Sequence, residues 1–315
     1  MDNDKNPTVE NVLVRELIAE KRSARRWKNI RFFGGLAAVV AIAVAIHPNK
    51  SESKATSAEP YAALIRLTGE IGPGKPFSAE KVNPVLDRAF ADSKAKGVIL
   101  LVNSPGGTPV QATLIHNRIL ALRKAHPDKH IVVVGEDTLA SGAYLMSAAA
   151  DKIYVSDGTV TGSIGVISSG FGFDKVLNRY GVDHRVFHAG EHKDRLDQFE
   201  PLNPDDSAKI HAMLDAIHGQ FIDVVKKGRG DRLHGDDKEL FSGDFWTGDE
   251  AVKLGLADGI GDVDSVAEAE FHVKRFKEYS APTAFWEQAI KKVTASLALN
   301  IGEATSQSFT VESKL

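Results

Sequence analysis

The sequence predicts an α/β fold built on a mostly parallel sheet, and three observations support this prediction. Apolar runs of strand length, such as Gly97–Asn103 and His130–Gly135, alternate with segments of helical periodicity. Continuous apolar strands are typical of parallel sheets whose two faces are both covered by helices. Turns rich in glycine and serine follow both runs, as expected where a strand crosses over to a helix. At 315 residues the chain is long enough for one or two domains, and its folded part is expected to begin near Tyr61.

The individual elements follow from periodicity and from capping residues. Strands are predicted at Ala62–Ile71, Gly97–Asn103, His130–Gly135, Lys152–Ser156, Ser163–Ser168 and His184–Ala189. Helices are predicted at Ser78–Ala95, Thr108–Ala125, Ser141–Ala150, from Asp205 or Asp206 to Lys226, Gly248–Leu254 and Asp264–Tyr279, with a further amphipathic candidate at Phe285–Leu299. Ser78 with Glu80 close behind indicates a helix start, and Gly255 indicates a helix stop.

A basic segment precedes the most apolar run of the chain. Residues 1–31 carry eight Lys/Arg and five Asp/Glu, and the fifteen residues Phe32–Ile46 contain no charge. By the positive-inside rule, the N-terminus stays in the cytoplasm and the chain after Pro48 is exported. A helix of this length measures roughly 22 Å against a hydrocarbon core of ~30 Å, so the predicted span is widened to residues 30–47.

A cleavable signal peptide is the alternative, because alanines at 41, 43 and 45 offer the small residues of a cleavage site. The long basic segment favours an uncleaved anchor, and a buried core helix is disfavoured because the run has no polar face. The predicted organisation is a basic cytoplasmic segment (1–29), a transmembrane signal anchor (30–47), a linker (48–60), a folded domain (61–279) and a C-terminal helix with a mobile tail (280–315).

Composition argues against several classes of function. The net charge of −3 and the lack of a basic groove with interleaved aromatic residues argue against a nucleic-acid partner. Because the chain has no cysteine, it has no disulfide, no thiolate nucleophile and no cysteine-based metal site. The sequence contains neither a metal-binding cluster nor a nucleotide-binding loop, and no cofactor is expected.

Two strand-to-helix turns carry the features of a nucleophile site. Ser104-Pro105-Gly106-Gly107 follows one apolar strand, and Ser141-Gly142 follows the next. In a parallel sheet both turns lie at the carboxyl edge of the strands, where α/β proteins bind ligands. Glycines let backbone amides approach a substrate, and such amides can stabilise an oxyanion. Together the turns predict a site in which Ser141 is the nucleophile.

A serine nucleophile needs a base, and residue patterns leave two classes of base open. Of the eleven histidines, His188 and His192 are the plausible ones, and they lie near Lys193. A histidine would complete a Ser-His-Asp arrangement, whereas a lysine acts as a base only when burial or a nearby positive charge lowers its pKa.

Several motifs resemble the signal peptide peptidase A family, S49-type membrane-anchored Ser-Lys peptidases. The matching segments are SPGG at Ser104–Gly107, DTLASGAYLMSAAADKIY at Asp137–Tyr154, TGSIGVI at Thr161–Ile167 and WTGDEAVKLGLADGIGD at Trp246–Asp262. The similarity runs from about Tyr61 to Glu270. It implies a ClpP/crotonase-like fold of repeated ββα units and makes the folded domain a peptidase domain.

The resemblance also implies roles for individual residues. Ser141 would be the nucleophile, Lys193 of the segment Gly190-Glu191-His192-Lys193 the general base, and Ser163 the residue that orients the lysine. The oxyanion donors would be the amide of Gly106 or Gly107 together with that of Gly142. Asp194 departs from the family pattern, and a carboxylate beside the lysine would raise the pKa of the base unless it points away.

The family further implies substrates and surroundings. Cleaved signal peptides or other membrane-associated peptides are the expected substrates, and a homo-oligomer is the expected assembly. The expected location is the bacterial cytoplasmic membrane, crossed once, with the peptidase domain on the periplasmic side. A crotonase-type acyl-thioester enzyme and a catalytically inactive membrane scaffold are the alternatives, because the same oxyanion turns would serve the first and the same fold the second.

Overall fold

The computed structural model describes residues 31 and 59–281. A β-sheet forms the centre of residues 59–281. Its strands are β1 (Tyr61–Thr68), β2 (Ala95–Ser104), β3 (Ile131–Ala140), β4 (Lys152–Val155), β5 (Val160–Gly162), β6 (Phe245–Trp246), β7 (Gly259–Ile260) and β8 (Phe276–Glu278). The α-helices are α1 (Ala79–Ala91), α2 (Pro109–Ala125), α3 (Gly142–Ser147), α4 (Asp174–Arg179), α5 (Pro204–Arg229), α6 (Asp237–Leu240), α7 (Gly248–Lys253) and α8 (Val263–Phe271).

The sheet is mostly parallel, which confirms the predicted fold class. Its strands follow the order β6–β5–β3–β2–β1–β8, while β4 pairs with β3 and β7 pairs with β4. The pairing of β5 with β6 is antiparallel and the other pairings are parallel. Strand β3 changes partner along its length, because Val132–Val134 pairs with β4 and Thr138–Ala140 pairs with β5. This change of partner directs the end of β3 towards the next turn of the chain.

Both faces of the central strands are buried, as their continuous apolar sequence predicts. Alternate residues of β1 and β2 belong to two separate clusters of buried side chains. The larger cluster packs under α1, α2 and α3 and includes the fully buried Phe77, Phe90 and Tyr144. The smaller cluster packs under α8, through Val266 and Phe271. Burial of apolar surface stabilises the folded state by about 25 cal/mol per Å². This packing fixes the strand ends at which the site lies.

The end of α5 is fixed to the sheet by a buried ion pair. The side chain of Arg229 is 1% exposed, and its Nη1 donates to Asp258 Oδ2 over 2.6 Å. Arg229 Nε also donates to the carbonyl of Gly255. Burial raises the pKa of Asp258, but the hydrogen bond and charge of Arg229 outweigh burial and hold this pKa below its ordinary value. The helix therefore has one firmly held end, which also carries the buried Phe221 and Val225.

Three predicted elements are wrong. No strand forms at Ser163–Ser168 or His184–Ala189. The second of these lies within a stretch, Ile167–Gln220, in which no residue is buried, and a strand needs a partner for its backbone groups. The helix predicted at Asp264–Tyr279 ends at Phe271, because His272 adopts the left-handed conformation (φ 55°).

The residues after His272 form the edge strand β8 instead. This strand pairs with β1, and the carboxylate of Asp92 accepts hydrogen bonds from Tyr61, Lys277 and Tyr279. The hydrogen bond from Lys277, followed by those from the two tyrosines, holds the pKa of Asp92 well below its usual range. These contacts outweigh the local helical periodicity that the sequence suggested.

Within residues 31 and 59–281, no helix combines the length and apolar character needed to cross a bilayer. The predicted anchor at 30–47 lies outside the described residues except for Arg31. The linker up to Ala58 and the candidate helix Phe285–Leu299 also lie outside them.

Candidate active site

Strand β3 delivers Ser141 to a strained turn. Ser141 has φ 52° and ψ −125°, a conformation that costs roughly 1–3 kcal/mol for a residue other than glycine. Its backbone N–H donates to the carbonyl of Gly162 over 2.8 Å, and its carbonyl accepts from Leu145. The hydroxyl makes no capping bond to α3. A sharp strand-to-helix turn of this kind presents a serine Oγ to a substrate.

The turn at Ser104–Gly107 packs directly against Ser141. A Cβ on Gly106 (φ 100°) would lie 2.7 Å from the Cβ of Ser141, and a Cβ on Gly107 (φ 148°) would lie 2.0 Å from the carbonyl oxygen of Ile71. Only glycine fits at either position, both for space and for backbone conformation. Ile71 fixes the turn, because its N–H donates to Gly106 O and its carbonyl accepts from Thr108 N.

Two backbone amides beside Ser141 are available to an oxyanion. The amide of Gly106 donates to the buried hydroxyl of Ser104 over 3.1 Å. The amides of Gly107 and Gly142 have no acceptor in the part of the chain that the structure describes. They lie close together, since a Cβ on Gly142 would be 3.3 Å from Gly107 N. Of the two glycines predicted for the first turn, this geometry favours Gly107 as the donor.

Ser163 is brought next to Ser141 by the pairing of β5 with β3. Ala140 lies opposite Gly162 in the parallel register of β3 and β5. Ser141 and Ser163 directly follow these two residues and therefore lie side by side. Ser163 also has a positive φ of 49°. Its N–H donates to Asp244 O over 2.7 Å, and Gly165 N donates to its carbonyl over 2.9 Å. The backbone of Ser163 is therefore held on both sides, close to the candidate nucleophile.

An apolar pocket opens beside Ser141. Its volume is about 180 Å³, and a cavity of about 150 Å³ accommodates a benzene molecule. The walls come from the glycine turn and α2, from the start of α3, from the residues after Ser163 and from α5 (Gly107, Pro109, Thr113, Ser141, Gly142, Leu145, Gly165, Val166, Ile167, Ile217, Gln220, Phe221 and Val224). The pocket can therefore hold one apolar side chain of a bound peptide.

Among the described residues, neither a hydrogen bond nor a shared pocket wall connects Lys193 with Ser141. Lys193 is exposed, is not part of the pocket wall and uses its backbone N–H to donate to Gly190 O. His188 and His192 are also exposed and line a different cavity of about 620 Å³. Asp194 does not pair with the lysine; its carboxylate lies 3.3 Å from Nε2 of His188. The nucleophile, both candidate oxyanion donors and Ser163 are thus assembled, and the candidate bases are not.

Sequence reasoning assigned no supporting role to three residues that hold the site, although Ser104 and Trp246 lie within the quoted motifs. Ser104 Oγ accepts the Gly106 amide, and the ring of Trp246 would lie 2.4 Å from a Cβ on Gly162. His218 on α5 lies 2.9 Å from the carbonyl oxygen of Ile164, directly after Ser163. Ser104 could have been found from its place in the turn. The other two act across long sequence separations that no local pattern reveals.

Comparisons with known proteins agree with the motifs. Residues 123–274 match the model of Peptidase family S49. Over 206 residues the chain is 30% identical to "Putative protease slr0021" of Synechocystis sp., covering 65% of this chain and 72% of that protein. Over 200 residues it is 34% identical to "Putative signal peptide peptidase SppA" of Enterococcus faecium, covering 62% of this chain and 57% of that protein.

A third relative is named as a transporter and not as a peptidase. The Na(+)/H(+) antiporter NhaA of Brucella abortus (strain 2308) is 44% identical over 207 residues, which is 64% of this chain and 28% of that protein. The match covers just over a quarter of the antiporter, so its name describes a protein of which this chain resembles one segment. Transport is therefore not carried over to this chain.

Proposed function

Because this chain belongs to peptidase family S49, we propose that it is a serine endopeptidase in which Ser141 attacks the scissile carbonyl. One observation carries the proposal. Ser141 occupies a strained turn between the backbone amides of Gly107 and Gly142, neither of which has an acceptor among the described residues, at the mouth of an apolar pocket. A carbonyl carbon placed at Ser141 Oγ would direct its oxygen to those amides.

The proposed reaction passes through an acyl-enzyme. Neutral Lys193 accepts the proton of Ser141 as Oγ bonds to the carbonyl carbon, and the carbonyl electrons move to the oxygen held by Gly107 and Gly142. The lysine then gives this proton to the leaving amine as the peptide C–N bond breaks. Water, deprotonated by the lysine, attacks the ester that remains. Collapse of the second tetrahedral intermediate returns the lysine's proton to Ser141 Oγ and releases the new carboxylic acid, which loses its proton to solvent.

The mechanism requires Lys193 to approach Ser141. The stretch Ile167–Gln220 contains no buried residue, so few contacts oppose a change in its path. Ser163 neighbours Ser141 and is the residue proposed to accept and direct the lysine when it arrives. Large apolar side chains of the same stretch are exposed, among them Ile167 (86%), Phe171 (82%) and Phe187 (93%). Their exposure supports the further proposal of a homo-oligomer in which this surface is covered.

The pocket indicates the substrate class. An apolar pocket of about 180 Å³ beside the nucleophile suits a peptide with a medium-sized apolar residue at the bond to be cut. Cleaved signal peptides are rich in such residues, and the similarity to a protein named signal peptide peptidase supports them as substrates. The predicted anchor at 30–47, with the peptidase domain on the periplasmic side, would keep the site beside the membrane that holds these peptides.

A serine-reactive fluorophosphonate probe tests the proposal on the full chain in detergent. We expect the probe to modify Ser141, and we expect Ser141→Ala to lose both the modification and the cleavage of an apolar signal-peptide substrate. Ser168→Ala, an exposed serine outside the pocket, is the matched control and should behave like the parent protein. A crotonase-type enzyme would not be modified. An inactive scaffold would give no difference in cleavage between the parent protein and Ser141→Ala.

A further inference from the structure

Helix α5 contributes one polar side chain to the turn that carries Ser163. Nε2 of His218 lies 2.9 Å from the backbone oxygen of Ile164. A carbonyl oxygen only accepts hydrogen bonds, so Nε2 must carry the proton. Both the neutral tautomer protonated at Nε2 and the imidazolium form can donate this bond. The contact therefore persists in either protonation state of the ring.

This hydrogen bond completes the restraint on Ser163. The backbone N–H of Ser163 donates to Asp244 O, and His218 Nε2 donates to the backbone carbonyl of the next residue, Ile164. The side chain of Ile164 is fully buried and cannot shift to compensate. Ser163 has φ 49°, and strained residues persist only where their surroundings over-determine the backbone. Without the His218 bond, the buried carbonyl of Ile164 would have no donor among the described residues, and relaxation of the turn would expose it to one.

We propose that His218 is a positioning residue that acts through Ser163. It touches neither a substrate in the pocket nor Ser141, and it holds the Ser163 hydroxyl at the place where the incoming base is received. This inference rests on the proposed function, in which Ser163 orients the base. The same helix forms one wall of the pocket through Ile217, Phe221 and Val224, so α5 connects substrate binding to the position of Ser163.

Two substitutions separate positioning from packing. His218→Leu keeps an apolar side chain of similar reach and removes the donor, whereas His218→Gln keeps an N–H donor. We expect His218→Leu to lower kcat about tenfold with KM almost unchanged, which corresponds to the loss of one hydrogen bond in a catalytic arrangement. We expect His218→Gln to restore most of kcat. His211→Leu, seven residues earlier on an exposed part of the helix, is the matched control and should have no effect.

A double-mutant cycle tests the route through Ser163. If His218 acts through Ser163, His218→Leu should cause no further loss of kcat in a Ser163→Ala background, because the group that it positions is already gone. An equal loss in both backgrounds would overturn the proposal, and so would a loss that appears in KM or that His218→Gln does not restore. Thermal unfolding of each variant identifies loss of fold, and if His218→Leu does not fold, His218→Ala takes its place in the cycle with Ser163→Ala.

Labelling of the parent protein keeps the two proposals apart. If the fluorophosphonate probe modifies Ser141 and the His218 variants fail the cycle, the positioning role is wrong and the peptidase stands. If the probe does not modify Ser141 in the parent protein, the proposed function itself is wrong, and the positioning role falls with it.

Discussion

Two neighbouring regions of the molecule carry the two halves of the proposed site, and they differ in how firmly they are held. From Ile131 to Ile164 the chain passes through the core, and each residue from Gly142 to Ala150 is buried. From Ile167 to Gln220 no residue is buried. The first region, the core region, contains Ser141 and Ser163. The second, the exposed region, contains Lys193, His188 and His192.

Burial explains how the backbone strain at two serines of the core region is held. Ser141 and Ser163 both have positive φ, and each is held by backbone hydrogen bonds to a neighbouring segment. Such strain costs free energy that surrounding contacts must offset, and in the core region buried neighbours and these hydrogen bonds do so. The nucleophile half is therefore preorganised by folding alone. The exposed region, which contains the candidate bases, has no buried residue to fix its position.

The largest expected effect is that of removing the nucleophile from the core region. Ser141→Ala should lower peptide cleavage by roughly 10⁴–10⁶-fold, because the covalent step is lost while binding and oxyanion stabilisation remain. The measurement is kcat on an apolar peptide. Unfolding free energy should not fall, since the hydroxyl makes no capping bond. Cleavage that persists near the parent rate would show that the preorganised serine is not the nucleophile.

The next effect tests whether the exposed region supplies the base. Lys193→Ala should lower kcat by roughly 10²–10⁴-fold, the usual contribution of a general base. Lys175→Ala, an exposed lysine of the same region, is the matched control and should leave kcat unchanged. If instead His188→Ala or His192→Ala abolishes activity while Lys193→Ala does not, the base is a histidine.

The pH dependence of kcat in the parent protein tests the assignment of the base independently. A lysine base must be neutral to accept the serine proton, so kcat should keep rising into the alkaline range. A rise that is already complete near about pH 6 would contradict a lysine and favour a histidine.

A third substitution tests what holds the exposed region to the core region. Arg229→Ala removes the buried partner of Asp258, whose carboxylate keeps, among the described residues, only Arg232 Nη1 at 3.1 Å and the amide of Ile153 at 2.7 Å, and should lower the unfolding free energy by about 1–3 kcal/mol. Because the folded-state pKa of Asp258 is lowered, the stabilisation exists above the unfolded pKa of about 3.9 and is lost as pH falls through the folded-state pKa.

Urea unfolding at several pH values measures this effect. The difference between the parent protein and Arg229→Ala should therefore shrink below about pH 4. Lys227→Ala, an exposed neighbour on the same helix, should be neutral. A constant difference across this pH range would mean that packing of the arginine side chain, and not its charge, stabilises the helix end.

The contrast between the core region and the exposed region also explains how much of the fold and of the site the sequence could predict. Strands β2, β3 and β4 and the glycine turns after β2 and β3 were predictable, because continuous apolar runs and turn residues are local signals. Strand β5 has three residues and β6 has two, so neither carries a measurable periodicity. The pairing of the short β5 with β3 places Ser163 beside Ser141, and His218 reaches this turn from 54 positions along the chain. The motif resemblance located Ser163 without revealing what holds it.

In the exposed region the sequence predicted a strand at His184–Ala189, and the structure has none. The segment contains the apolar residues Val186, Phe187 and Ala189, but a strand is stable only when its backbone groups are paired. The sequence identified Lys193 through a motif, and nothing in that motif specifies where an unburied lysine lies. Packing explains this difference. Apolar patterning predicts the positions of residues that the core fixes, and it does not predict the positions of residues outside the core.

The smallest expected effect concerns the pocket, where the two regions meet. Val224→Ala removes two methyl groups from the wall and should shift kcat/KM about tenfold in favour of a bulkier apolar residue at the cleaved bond. Val110→Ala, on an exposed position of α2, is the matched control. The assay compares paired peptides that differ only at that residue, so a change in total activity cancels. An unchanged ratio would mean that the substrate side chain does not enter this pocket, although Ser141 could still be the nucleophile.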